Sequence, residues 1–136
     1  MKAEVKKEPI NWKLVKTSKS LLSTRFPRSV YKGEYQDGFK QGWGTETYSN
    51  GCEYTGEYYQ DSRHGNGRYS SFKGNVYEGQ FANNMFNGYG KLVSVEDGHT
   101  YEGMWKDNKM HGDGVYTWKG GSRKYTGKFM NNERHD

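Results

Sequence analysis

From residue 31 onward, large aromatic and polar positions alternate with a period of two, in bursts of five residues. Tyr31, Gly33 and Tyr35 enclose Lys32 and Glu34, and the same element recurs at Tyr54-Gly56-Tyr58, Tyr77-Gly79-Phe81, Tyr101-Gly103-Trp105 and Tyr125-Gly127-Phe129. The starts lie 23, 23, 24 and 24 residues apart. Positions i, i+2 and i+4 of a strand share one face, so each burst predicts a strand with an aromatic-glycine face and a polar face. A second element, G-x-G, begins 11 residues after the first tyrosine at Gly42, Gly65, Gly88 and Gly112. Between the two elements stand Asp37-Gly38, Asn83-Asn84, Asp107-Asn108 and Asn131-Asn132. These residue types tolerate the positive φ of a tight hairpin turn, so G-x-G reads as the returning strand. Asn50-Gly51, Asp97-Gly98 and Gly120-Gly121 then turn the chain into the next unit.

Each unit is thus a β-hairpin, and internal repetition is the dominant signal. The pattern predicts strands throughout residues 31–136, with no helix longer than two turns up to residue 129. Glycine weakens a strand unless something must approach the backbone closely. We expect aromatic rings to lie flat over these glycines and to form the core.

Composition makes such a core necessary. Leu, Ile, Val and Phe number only 18 of 136 residues, a level at which chains often stay disordered. Against that, 16% of the chain is aromatic, with 12 tyrosines, and the net charge is only +5. A large aromatic buries about 150–250 Å², so rings can replace the missing aliphatics. Cys52 is the only cysteine, which excludes an intrachain disulfide and a thiolate zinc site, and fits a reducing, cytoplasmic compartment. No apolar run is long enough to span a membrane as a helix, and the N-terminus lacks the apolar core of a secretory signal.

The unit Y-x-G-x-[YFW]-x(6)-G-x-G, as in "YEGQFANNMFNGYG" and "YEGMWKDNKMHGDG", resembles the MORN (membrane occupation and recognition nexus) repeat. The resemblance implies an all-β fold: an elongated, twisted single-layer antiparallel sheet of stacked hairpins with a groove along one side. It covers residues 31–136 as four full repeats and a partial fifth, about nine strands in all. It also implies a non-catalytic array: a scaffold in cilia, flagella or cortical cytoskeleton, a membrane-contact module, or an accessory to an enzyme whose catalytic domain is separate.

Nothing in the residues themselves adds chemistry. His64, His111 and His135 recur one per repeat without recurring carboxylate or thiolate helpers, so we expect them to support turns or neighbouring hairpins rather than hold a metal. The G-x-G elements precede strands, not the helix that a phosphate-binding loop requires. No nucleophile elbow occurs. No catalytic residue, cofactor or metal is therefore expected.

Two rows are candidate partner sites: the second aromatics Tyr35, Tyr58, Phe81, Trp105 and Phe129, or the apolar residues after the hairpin turn, Phe39, Phe86 and Met110. The sequence does not choose between them. Residues 31–136 carry 13 Lys and Arg against 14 Asp and Glu, too neutral for a nucleic-acid platform. Residues 1–30 hold eight basic residues, including Lys6, Lys7, Lys13, Lys16, Lys19, Arg25 and Arg28, against two glutamates. This N-terminal basic arm, extended or a short helix around Trp12, is expected to meet an acidic surface, either a protein of a multisubunit or cytoskeletal assembly or anionic lipid.

Overall fold

The computed structural model describes residues 28–135. Ten strands form one antiparallel sheet in sequence order: β1 (Ser29–Gln36), β2 (Phe39–Tyr48), β3 (Glu53–Tyr59), β4 (Ser62–Ser70), β5 (Val76–Ala82), β6 (Met85–Val93), β7 (Thr100–Lys106), β8 (Lys109–Thr117), β9 (Lys124–Met130) and β10 (Glu133–His135). The described residues contain no helix. The count exceeds the expected nine because the fifth unit turns back into the short β10. The sheet also starts at Ser29, two residues before the expected first burst. Nine inter-strand spacings of about 4.8 Å give a length on the order of 43 Å.

The hairpin turns have two successive residues at positive φ. Asp37 and Gly38 lie at 53° and 85°, Asn83 and Asn84 at 52° and 68°, Asp107 and Asn108 at 49° and 70°, and Asn131 and Asn132 at 49° and 72°. Gln60 and Asp61 turn the second hairpin at 47° and 69°, a pair whose composition gave no warning. Glutamine is a poor residue there. The turn is held from the preceding hairpin instead, where the Gln41 side-chain oxygen accepts the Gln60 amide at 3.1 Å.

The second turn residue fastens each hairpin to the one before it. The Asp61 amide donates to the Lys40 carbonyl at 3.0 Å while its carboxylate accepts the Lys40 amide at 2.8 Å. Asn84 holds Arg63 at 3.1 and 2.8 Å, Asn108 holds Phe86 at 3.0 and 2.9 Å, and Asn132 holds Met110 at 3.0 and 2.8 Å. Gly38, at the same place in the first hairpin, has no side chain to reach backwards.

The glycines form one file across the sheet. Gly33, Gly44, Gly56, Gly67, Gly79, Gly90, Gly103, Gly114 and Gly127 pair in register from β1 to β9. The first tyrosine of each unit lies over the file. A methyl on Gly90 would overlap the Tyr77 ring, and one on Gly114 the Tyr101 ring. The ring therefore covers the second glycine of G-x-G in its own hairpin, where the sequence suggested a neighbouring strand without saying which. At Gly79 and Gly103 the nearest obstacle is instead the backbone of the paired strand, with the tyrosine hydroxyl at the margin. The first glycine of G-x-G has a different task. Gly42, Gly65, Gly88 and Gly112 have φ of 80°, 80°, 102° and 92°, and they lie at the bulge where the returning strand uses more residues than its partner.

The bulge frees a carbonyl in the outgoing strand, and the tyrosine uses it. Tyr31, Tyr54 and Tyr77 donate to the carbonyls of Glu34, Glu57 and Gln80 at 2.7 Å, and Tyr101 to that of Met104 at 2.8 Å. Each ring then meets two others edge to face. Within a unit, the centroids of Tyr54 and Tyr58 are 5.2 Å apart and those of Tyr77 and Phe81 5.1 Å. Between units, Tyr31 meets Tyr58 at 5.1 Å, Tyr54 meets Phe81 at 5.1 Å, Tyr77 meets Trp105 at 5.5 Å and Tyr101 meets Phe129 at 4.9 Å. Tyr35 and Tyr125 complete an unbroken ladder of rings. Each such pair contributes about 0.5–1.5 kcal/mol beyond area burial. Phe86, stacked on Tyr77 at 3.8 Å, and the buried Leu92, Met110 and Tyr116 widen this core.

Candidate functional site

The ring ladder leaves nothing on its own face for a partner. Tyr58, Phe81, Trp105 and Phe129 are 4, 3, 3 and 2% exposed, so the expected row of second aromatics is packed core, and only Tyr35 stands open. The alternative row divides the same way. Phe86 and Met110 are buried at 3% and 0%, while Phe39 is exposed. Both rows sit on the glycine side of the strands, where each ring is covered by the rings of neighbouring units. That packing is the physical reason neither row can act as a continuous contact surface.

At the start of this face the core turns polar. Glu46 occupies the place that Tyr69, Leu92 and Tyr116 hold in later units, and it is buried. Ser29 and Tyr58 donate to it at 2.5 and 2.9 Å, and the Lys40 ammonium reaches both its oxygens at 3.1 and 3.0 Å. Burial alone would raise the Glu46 pKa. The bonds from Ser29 and Lys40, the Lys40 charge and the Tyr58 bond outweigh it and hold the carboxyl below the ordinary range. In the next unit the buried Arg63 lies 5.0 Å over Tyr69 and 5.8 Å over Tyr54, and donates to the Asn84 carbonyl at 3.2 Å. These are closed, internally paired groups.

The opposite face carries the exposed chemistry. The residue between the two glycines of G-x-G points there, as does the residue before the second aromatic. This places Trp43, Asn66, Tyr89 and Asp113 in one row with Glu34, Glu57, Gln80, Met104 and Lys128. Trp43 is 54% exposed, Tyr89 50% and Met104 41%. The row is fixed from within: Glu34, Glu57 and Gln80 accept the amides of Trp43, Asn66 and Tyr89 at 2.8, 3.0 and 2.8 Å. A second row, with Thr45, Thr55, Arg68, Lys91, Glu102, Val115 and Thr126, flanks the other side of the glycine file. Between the rows the bare backbone forms the floor of an open trough. Over the last repeats it encloses about 390 Å³, with Tyr89, Glu102, Asp113, Val115 and Thr126 above Gly103, Gly114 and Gly127. The Tyr89 hydroxyl donates to Glu102, and Lys128 donates to Asp113 at 2.8 Å.

Trp43, Tyr89 and Met104 escaped the sequence reading. The signal was present, because their offsets are odd relative to the glycines and strand alternation sends them to the far face. The conspicuous aromatics drew attention to the face that the sheet keeps for itself.

The remaining candidates are accounted for locally. His64 packs against Tyr59 with centroids 5.7 Å apart, His111 is half-buried, and His135 is exposed. No group of three or more His, Cys, Asp or Glu able to hold a metal ion occurs among the described residues. Cys52 is buried and reduced. Of the basic arm, Lys6, Lys7, Lys13, Lys16, Lys19 and Arg25 lie outside the described residues. Arg28 lies within them; it is exposed, and its carbonyl accepts the Ser49 amide at 2.9 Å.

A sequence model of the MORN repeat matches residues 31–53, 54–76, 77–98 and 101–123. A search of curated proteins found no match to the chain.

Proposed function

The chain belongs to the MORN repeat family, and from that premise we propose that it is a non-enzymatic protein-interaction scaffold whose contact surface is the trough face of the sheet. MORN repeats serve protein or membrane association, and no helix among the described residues is long and apolar enough to cross a membrane. The observation that supports a scaffold is the division of labour between the faces. The tyrosines, second aromatics and glycines of each unit are consumed in packing, whereas Trp43, Tyr89 and Met104 stand exposed above a continuous floor. A repeat array offers equivalent pockets at fixed spacing, which suits a long partner better than a small substrate.

We place the assembly in the cytoplasm, as a structural subunit of cytoskeleton, cilium or flagellum, following the resemblance stated above. The basic arm, residues 1–30, is the second contact, docking on an acidic protein neighbour. A second reading is a peripheral tether, with the arm on anionic phospholipid, and it draws on the arm's +6 against the near-neutral array. Basic residues near an anionic membrane are worth about 1 kcal/mol each, whatever their order.

The test pairs co-sedimentation with phosphatidylserine vesicles against capture of the native assembly. The chains compared are the intact protein, a chain with a scrambled arm of equal composition, and Trp43→Ala. Loss of assembly capture in both altered chains, with vesicle binding unchanged, is the expected result. Capture that survives both changes, beside strong vesicle binding, replaces the scaffold with the tether.

A further inference from the structure

We propose that the trough face binds a proline-rich segment in the polyproline II conformation, carrying basic residues and lying along the array across the strands. The inference rests on the scaffold reading and names the partner's chemistry.

Width excludes the common alternatives first. The two rows flank the glycine file one residue to either side, so they stand two residues apart on a strand, about 6.8 Å. An α-helix with its side chains is about 10–12 Å across and cannot seat on the floor. A β-strand turned across the sheet finds no ladder partners, because the sheet's own amides and carbonyls lie in its plane and are already paired. Its side chains also alternate with period two. A polyproline II segment is slender, needs no internal hydrogen bonds and presents every third residue on one side.

Period then selects it. One repeat is two strands, about 9.6 Å along the array. Three polyproline II residues advance about 9.3 Å. Trp43 and Tyr89 hold the same place two repeats apart, about 19 Å, and six such residues cover about 18.6 Å. Prolines at i and i+6 would therefore rest on the two exposed rings in register. Exposed aromatics in a shallow groove are the surface that proline-rich segments use, because the stiff chain loses little entropy on binding.

Charge sets the rest of the ligand. Glu34 bonds the Trp43 amide, and Glu57 faces Trp43 across β2 and β3. Glu102 and Asp113 stand beside Tyr89 in the trough wall. Carboxylates flanking each ring call for Arg or Lys between the prolines.

The experiment titrates the full chain with a fluorescent peptide of four Pro-Pro-Arg units, beside a peptide of four Gly-Ser-Arg units with equal charge. We expect saturable binding of the first and at least tenfold weaker binding of the second. Trp43→Ala and Tyr89→Ala should each lower affinity about tenfold without lowering the melting temperature, since both rings are exposed. Equal binding of the two peptides would reduce the contact to charge and overturn the proposal. So would unchanged affinity in both variants, or no saturation. A native partner that is lost in Trp43→Ala, while the proline peptide never binds, would keep the scaffold reading and remove this one.

Discussion

At the residue scale, two glycines of one motif do unlike things. Gly88 is needed for its φ of 102°, whereas Gly90 is needed because a ring lies on it. Gly79 is needed because the Gly90 backbone faces it. Gly79→Val should therefore cost at least the upper part of the about 1–3 kcal/mol typical of overpacking, since the obstacle cannot rotate away. Tyr77→Phe keeps the ladder and removes only the bond to the Gln80 carbonyl, so about 0.5–1.5 kcal/mol is expected. Urea melts of the two variants check both values. The same rings predict an alkaline limit. Burial pushes the phenols of Tyr54, Tyr77 and Tyr101 well above their usual pKa. A folded-state pKa raised above the unfolded one means that stability is full below about pH 10 and is lost as the pH rises past it. Tyrosinate absorbance should thus appear together with unfolding rather than before it. Glu46 acts with the opposite sign: its lowered pKa contributes stability above about pH 4, which is lost as acid protonates it. Glu46→Gln should flatten the acid side of the stability profile.

At the element scale, the hairpins are joined by a bond that the sequence shows only in hindsight. The turn pairs were legible because Asn, Asp and Gly tolerate positive φ. Their second duty was not, because it depends on where the preceding hairpin places its backbone. Asn108→Gly isolates that duty: it keeps φ available and removes the acceptor of the Phe86 amide. A loss of about 1 kcal/mol is expected, read as a lower denaturation midpoint with an unchanged slope. Repeat period, strand direction and glycine spacing were likewise readable, since they are periodic along the chain. Which aromatics stay exposed was not, because Tyr35 and Phe81 share a motif position, yet only Phe81 has the ring of a preceding unit, Tyr54, against it.

At the scale of the whole molecule, the sheet is one layer whose two faces have separated their tasks. The ladder and the glycine file run the length of the array, so a single floor is shared by all the units. A partner lying along it would gain from each repeat in turn, and a thin sheet with few aliphatics would gain stability from being covered. The measurement that tests this most directly is amide hydrogen exchange of the full chain, free and with its native partner bound. Partner-dependent protection should run across successive strands at Trp43, Asn66, Tyr89 and Asp113, the file of the trough face. Protection confined to one hairpin, or to the loops and edge strands with that file unchanged, would contradict the account.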